Sequence, residues 1–443
     1  MALGGGTFLV ENKILPGYYL NVISQTGSSV NMSERGTATM PLELDWGVSG
    51  AVFTVTNEEF QTNSQKIFGY DYTHDKMKGL RDLFSKARTV HCYNLCGGGA
   101  KASNTYATAK YPGTRGNDLK IIIQKNADDE EAFDVTTVLM NGDTAIEVDK
   151  QTVAAASGLE DNDYVDFKKT ATLAVTAGTP LTGRTNTEVT GATHQKYLDL
   201  ISGYSFNTMG VVVTDTTTKN LYIAFVKRMR DEKGIKFQLV VHKAVDTCHP
   251  DYIGVISVEN DTSDEGYSAA SAVYWVTGAE AGANVNESIQ NTVYDGEFTI
   301  GTDYSQTELE QALTAGKFIF HNNNNTVCVL EDRNTFVTIT DTMGEVFQDN
   351  QTVRVIDQIA IDDANIFNKK YNGHVPNDNP GRISLWTDLV KIRQNLNDIR
   401  AIENFVDSDV TVSQGDSKKS VRANSVIQVV NTMSKLYMTV VIV

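Results

Sequence analysis

Thiols, imidazoles, serines and clustered carboxylates are the groups from which a chain builds an active or metal site. This sequence gathers few of them. His91-Cys92 followed by Cys96 supplies two thiols and an imidazole, whereas a structural zinc site takes four ligands. A C-x3-C pair with no second pair or matched histidines reads as a buried thiol beside a strand-end histidine. Cys248-His249 precedes Pro250 in a loop and has no partner in sequence. Gly97-Gly98-Gly99-Ala100-Lys101 has the composition of a phosphate loop without the G-x-x-x-x-G-K-[ST] spacing, so it reads as a flexible joint between domains. Gly47-Val48-Ser49-Gly50-Ala51 and Gly266-Tyr267-Ser268-Ala269-Ala270 are loose G-x-S-x-A strings. Neither comes with an identifiable His and Asp to activate its serine. Asp128-Asp129-Glu130-Glu131 lacks the alternating oxygen ligands of a calcium loop and reads as solvated. No catalytic residue, cofactor or metal is expected.

The elements around these groups belong to a long, acidic chain. At 443 residues it exceeds one hydrophobic core and implies two to four domains. A net charge of -17 repels nucleic acid, which is bound by basic stripes. No apolar run approaches the length of a membrane span, and MALGGGTFLVENK lacks the basic-then-apolar order of a secretory signal. Four cysteines do not make a disulfide framework, which points to reduced thiols and assembly in the cytoplasm. Seven prolines against abundant Thr, Asn, Val and Gly favour strands joined by polar turns.

Residues 1–30 read as an extended arm, and an α/β pattern occupies 31–97 and 191–345. Its strands are expected at 36–42, 90–93, 211–213, 237–241 and 253–258, with 318–320, 327–330 and 336–339 completing the sheet. Helices are expected at 77–87, 194–201, 221–230, 269–281 and 306–315. Between these halves, 98–190 reads as an inserted β-sandwich with strands at 119–123, 133–139 and 172–175 and a hairpin turn at Asn141-Gly142. The last region, 346–443, holds helices at 353–368 and 383–405 and short strands at 410–412 and 426–430. In the second helix Leu385, Leu389, Ile392, Leu396, Ile399, Ile402 and Val406 form the inward stripe, and Arg393, Asn397, Arg400 and Asn404 face outward. The segment from Arg382 to Glu403 is mildly basic in an acidic chain.

The chain ends in Leu436-Tyr437-Met438-Thr439-Val440-Val441-Ile442-Val443, apolar on both faces and free of side-chain charge. A strand of this kind wants cover on both sides and partners on both edges. Either it completes this chain's own sheet or it pairs with a second copy. Near the other end Tyr18-Tyr19-Leu20-Asn21-Val22-Ile23 follows the Pro16-Gly17 break as a second short strand. Two such ends point to an assembly protein that exchanges strands with copies of itself.

Six segments in order along the chain carry a family resemblance: Leu15-Pro16-Gly17-Tyr18-Tyr19, the run Tyr111 to Leu119 (YPGTRGNDL), Ala272 to Gly282 (AVYWVTGAEAG), Asn334-Thr335-Phe336-Val337, Asp357-Gln358-Ile359, and Lys435 to Val440. Each is short, and their collinearity is what is specific. The chain resembles the contractile tail sheath proteins of phages and phage-like particles, such as R-type bacteriocins. The resemblance implies an α/β core of subtilisin-like three-layer topology, an inserted β-sandwich, and an α+β C-terminal domain facing a tail tube. It implies a non-enzymatic subunit that polymerises helically around that tube and contracts to drive it through a bacterial envelope. Its partners would be itself, the tube protein, and baseplate and tail terminator proteins, with neither nucleic acid nor membrane insertion. It places Tyr18, Tyr19, Leu20, Val22, Leu436, Tyr437, Met438, Val440 and Ile442 in intersubunit arms, and Lys391, Arg393 and Arg400 toward the tube. The rival readings are a catalytically active subtilisin-like hydrolase and a β-rich surface-binding module working through 100–190.

Overall fold

The computed structural model describes residues 32–442; the expected N-terminal strand 18–23 lies outside them. The first half of the α/β core runs β1 (Thr37–Leu42), β2 (Val52–Thr56), α1 (Asn57–Phe68), α2 (Lys78–Phe84) and β3 (Thr89–Asn94). Neither the edge strand β2 nor the helix α1 that follows it was expected from sequence. Only Phe60, Ser64 and Phe68 of α1 are buried, too thin a stripe to stand out in NEEFQTNSQKIF. A capping box starts this helix: Glu59 N–H donates to the Thr56 hydroxyl at 3.2 Å, and Thr56 N–H donates to the Glu59 carboxylate at 2.9 Å.

The inserted domain follows with β4 (Ala107–Ala109), β5 (Leu119–Lys125), β6 (Phe133–Asn141), β7 (Thr144–Val153), β8 (Val165–Phe167) and β9 (Thr176–Pro180). An antiparallel sheet ordered β7-β6-β5-β9 and the β4-β8 pair enclose Ile121, Ile123, Val135, Leu139, Val165 and Phe167. Asn141 pairs with Thr144 across the expected hairpin turn. The strand expected at 172–175 is displaced to β9, whose Pro180 is tolerated because the strand lies at an edge. The YPGTRGNDL run docks this domain on the core. Arg115 donates to the Gly69 carbonyl at 2.8 Å, and Trp46 packs edge-on against Tyr111. Gly113, at φ +117°, sits so close to the Asp45 carbonyl that a Cβ would fall 2.2 Å from its oxygen.

The core resumes with α3 (Gly191–Ile201), β10 (Thr208–Val211), α4 (Thr216–Lys227), β11 (Gln238–His242), α5 (Ala244–Cys248), β12 (Val255–Val258), α6 (Ala272–Gly282) and α7 (Gln306–Thr314). Its sheet is ordered β12-β11-β10-β1-β3-β2, parallel except for β2 at the edge. One face buries Met40, Cys92, Val240 and Ile256 under α1, α2 and α6, and the other buries Met209, Val211, Leu239 and Val241 under α3 and α4. Helices on both faces are what a parallel sheet requires. The AVYWVTGAEAG helix is α6. A Cβ on Gly278 would fall 2.2 Å from the Leu83 carbonyl oxygen, so only glycine lets α6 lie this close to α2.

The expected strands after α7 do not extend this sheet. β13 (Phe320–Asn323) and β14 (Thr326–Val329) form a separate antiparallel hairpin, turned by Asn324 and Asn325 at φ +51° and +64°. Residues 336–339 form no strand, because the amides of Val337 and Thr338 donate to the Asp251 carboxylate instead, at 2.8 and 3.2 Å.

The C-terminal region holds α8 (Asn350–Ile366), α9 (Asn379–Asp398), β15 (Ile402–Glu403), β16 (Val410–Gln414), β17 (Val421–Ser425) and β18 (Gln428–Val429). Helix α9 stops seven residues short of the expected Phe405, since Arg400 and Asn404 take left-handed backbone at φ +59° and +56°. Ile402 kept the helical spacing because it packs into the same cluster as Leu396 and Ile392, but from β15. No helix among the described residues is long and apolar enough to cross a membrane.

Candidate functional site

The groups with catalytic potential are held in structural roles. His91 Nδ1 contacts the Thr54 hydroxyl at 2.8 Å. Cys92 is fully buried, and burial raises its thiol pKa. Burial, with Glu43 and Asp45 nearby, pushes Cys96 up to about 11, so neither thiol is a thiolate near neutrality. The triglycine is a bonded crossing rather than a flexible joint: Thr187 N–H donates to the Cys96 carbonyl at 3.1 Å and Ala100 N–H to the Thr185 hydroxyl at 3.2 Å. Ser268 shares a crevice with His194 beyond the carboxyl ends of β1 and β10. Yet His194 Nδ1 is bonded to the Tyr222 hydroxyl at 2.8 Å, and burial lowers its pKa. The Ser268 hydroxyl accepts from Ala270 N–H. A serine with no hydrogen bond to a base is an unactivated nucleophile. Among the described residues no group of three His, Cys, Asp or Glu is placed to hold a metal.

The chain is unusual instead at its C-terminal end. Val430 N–H donates to the Ala401 carbonyl at 3.0 Å, Asn431 Nδ2 to the Thr352 hydroxyl at 3.0 Å, and Thr432 N–H to Gln351 Oε1 at 3.1 Å. Past that point residues 433–442 make no hydrogen bond to any described residue and form no strand. Leu436, Tyr437 and Ile442 are 86%, 89% and 93% exposed, and Met438 and Val440 are exposed as well. Tyr18, Tyr19, Leu20 and Val22 lie outside the described residues.

The helix assigned to the tube divides. Lys391 and Arg400 are exposed, Arg400 lying past the helix end. Arg393 does not face outward. It is buried, with a bidentate pair to Asp363 of α8, one arm at 2.7 Å, and a 3.2 Å bond to the Ser425 hydroxyl. Its polar type read as surface, and the carboxylate that draws it inward lies on another helix.

Sequence reasoning also missed a cluster of buried charge under α8. Arg354, Glu280 and Asp332 are each about 1% exposed or less. Arg354 donates to Glu280 at 2.5 Å and to Asp332 at 2.6 Å, and Asn350 Nδ2 bonds both acids. Burial and the charge of Asp332 push Glu280 well above the usual carboxylate range. Arg354 and hydrogen bonds to Glu280 and Asn350 hold Asp332 below it, against the effect of burial. Arg354 faces both acids and is the cation that balances the cluster. One turn on, Asp357 pairs with Arg230 through bonds of 2.6 and 2.7 Å. These are intramolecular fastenings between the C-terminal helix and the core, with both partners paired as buried ions require.

Four family models match in succession: tail sheath protein Gp18 domain III N-terminal region over 35–95, phage tail sheath protein beta-sandwich domain over 97–186, phage tail sheath protein central domain over 187–335, and phage tail sheath C-terminal domain over 342–443. The phage-like element PBSX protein XkdK of Bacillus subtilis is 30% identical, with 99% of each chain covered. This chain belongs to the phage tail sheath protein family. The structure of the sheath tail protein from Desulfitobacterium hafniense agrees with it at a TM-score of 0.82 and 35% identity, over 95% of this chain and 99% of that one. The helical sheath of the anti-feeding prophage in its contracted state shares the fold at a TM-score of 0.57 and 11% identity, over 96% and 98%. As a tail sheath protein the chain is a structural subunit of a contractile sheath, and among its described residues the apolar segment 436–442 is exposed.

Proposed function

We propose that this sheath protein polymerises helically around a tail tube through its terminal arms and contracts to drive the tube through a bacterial envelope. The observation that carries the reading is the C-terminal segment, apolar on both faces and exposed without a hydrogen bond to any described residue. Burying about six of its side chains against neighbours yields roughly 10 kcal/mol gross, at ~1.5–3 kcal/mol each. Ordering its backbone costs about 1–2 kcal/mol per residue. One joint is near balance, and repetition through the lattice makes it firm. Strand addition is a recurring mode of such pairing, and a head-to-tail contact that does not close generates a helix.

In this reading 1–30, with Tyr18, Tyr19, Leu20 and Val22, and the segment from Leu436 to Ile442 reach adjacent subunits. Lys391 and Arg400 approach the tube, while Arg393 serves the fold. The core takes a subtilisin-like topology without catalysis, consistent with the missing base at Ser268. Baseplate and terminator proteins bound the polymer, which assembles in the bacterial cytoplasm. Deleting 433–443 from the full chain should leave a protomer with unchanged circular dichroism and thermal unfolding and abolish tubes in negative stain. Normal tubes from that truncation would overturn the role of this arm.

A further inference from the structure

Ser33, next to the first described residue, and residues 430–432, at the root of the C-terminal arm, are held by one helix. At the C-terminal side Gln351 and Thr352, in the first turn of α8, hold Val430, Asn431 and Thr432. At the N-terminal side Asp362 accepts from both the Ser33 amide at 3.0 Å and its hydroxyl at 2.6 Å. Gln358 Nε2 donates to the Ser33 carbonyl at 3.1 Å and also to Asp362 at 2.8 Å, and Asn365 donates to the Ser33 hydroxyl at 3.2 Å. Met32 packs in the cluster beneath, with Val355 and Ile359. The two roots are eleven residues apart on α8, about 16 Å along its axis. Between them Arg354 bonds Glu280 and Asp332, and Asp357 bonds Arg230. Gln238 of β11 reaches Asn350 at 2.9 Å, which ties the start of the helix to the central sheet as well.

We propose that α8 is a tie-bar: what neighbouring copies do to either arm is delivered to this one helix and passes from it, through Arg354 and Asp357, to the α/β core. The inference rests on the reading of the arms as joints between copies. It adds that the joints on the two sides of a subunit are linked through a rigid element some three turns long, bypassing the β-sandwich. A pull on one arm is then felt at the other root and at the core. The rows of a sheath would thereby change state together.

Hydrogen exchange of the full chain, as free protomer and as tubes, tests this. In wild type the amides of 436–442 and of α8 should both exchange at least roughly tenfold more slowly in tubes. The double variant Gln351→Ala/Asp362→Ala should still form tubes with protected arms, and its α8 should lose that slowing. If that variant does not fold, Ser33→Ala with Thr432→Pro removes the Ser33 hydroxyl bonds to Asp362 and Asn365 and the Thr432 amide bond to Gln351 from the arm side. Slowing of α8 that survives the cut roots, or protected arms with no slowing of α8 in wild type, would overturn the tie-bar and leave the arm reading standing. Arm amides that exchange as fast in tubes as in the free protomer would overturn both.

Discussion

Two stretches of this chain share a chemistry and meet opposite fates. β11 and the C-terminal arm are each apolar on both faces, and each is suited to the middle of a sheet. β11 finds that place at home: Leu239, Val240 and Val241 are wholly buried, paired on one edge by β10 and on the other by β12, with α4 above and α6 below. The arm has the same kind of residues and no such place among the described residues of its own protomer, where Val440 and Val441 are 71% and 77% exposed. The residue types say that a strand must be covered and cannot say by whom. The fold supplies the answer for the first strand, and in the proposed assembly a second copy supplies it for the second.

The comparison breaks most visibly where a charge is placed in the covered strand. Val240→Asp puts an unpaired carboxylate between the sheet and α6, with no partner to accept it. A loss of more than ~4 kcal/mol is expected, enough to leave little folded protein. Urea titration followed by circular dichroism would show it, and a midpoint within experimental scatter of wild type would contradict the account of the core.

Removing a charge that the protomer satisfies internally sharpens the contrast. Arg354→Met leaves Asp332 buried beside Glu280 without its cation, so a cost of about 3–5 kcal/mol is expected. Thermal unfolding of the free protomer would measure it. A change smaller than ~1 kcal/mol would mean that water or rearrangement already supports the acids, and that α8 is fastened by packing alone.

The sequence disclosed the parts whose chemistry is self-evident. The strands of the parallel sheet stand out as apolar runs except β10, which was expected at 211–213 and lies at Thr208–Val211; the hairpin at 141–142 stands out as an Asn-Gly pair, and the C-terminal arm as an uncharged run from Leu436. It hid whatever depends on a partner distant in sequence. Arg354, Asp357 and Arg393 have surface-type side chains, and only the fold brings Asp332, Arg230 and Asp363 to them. Helix α9 was extended too far because Ile402 sits at the next helical step while belonging to β15. The strand expected at 336–339 was forestalled by one side chain, Asp251, that satisfies two backbone amides from 86 residues away. The sandwich domain was legible from its turns, and α1 was not, because two phenylalanines and a serine make no stripe. The roots of the arms on α8 had no signal at all: glutamine, threonine, serine and aspartate at those positions are what any helix surface carries.

The smallest effect on the free protomer is expected from the same substitution placed in the arm. Val440→Asp adds a charge to an exposed side chain, with no hydrogen bond or packed neighbour to lose among the described residues, so unfolding of the protomer should shift by less than ~0.5 kcal/mol. In the polymer the position is different, because a strand inserted between a neighbour's strands must bury Val440 and would carry the carboxylate with it. Sedimentation should therefore show a folded, monomeric variant under conditions where wild type pellets as tubes. Val440→Ile, which keeps the apolar face, should pellet as wild type does. If the aspartate variant also polymerises normally, the arm is not buried by its neighbours, and the likeness between it and β11 ends at composition. If it fails to polymerise and is destabilised as a protomer too, the arm has a home in its own chain, and the contrast between the two strands collapses from the other side.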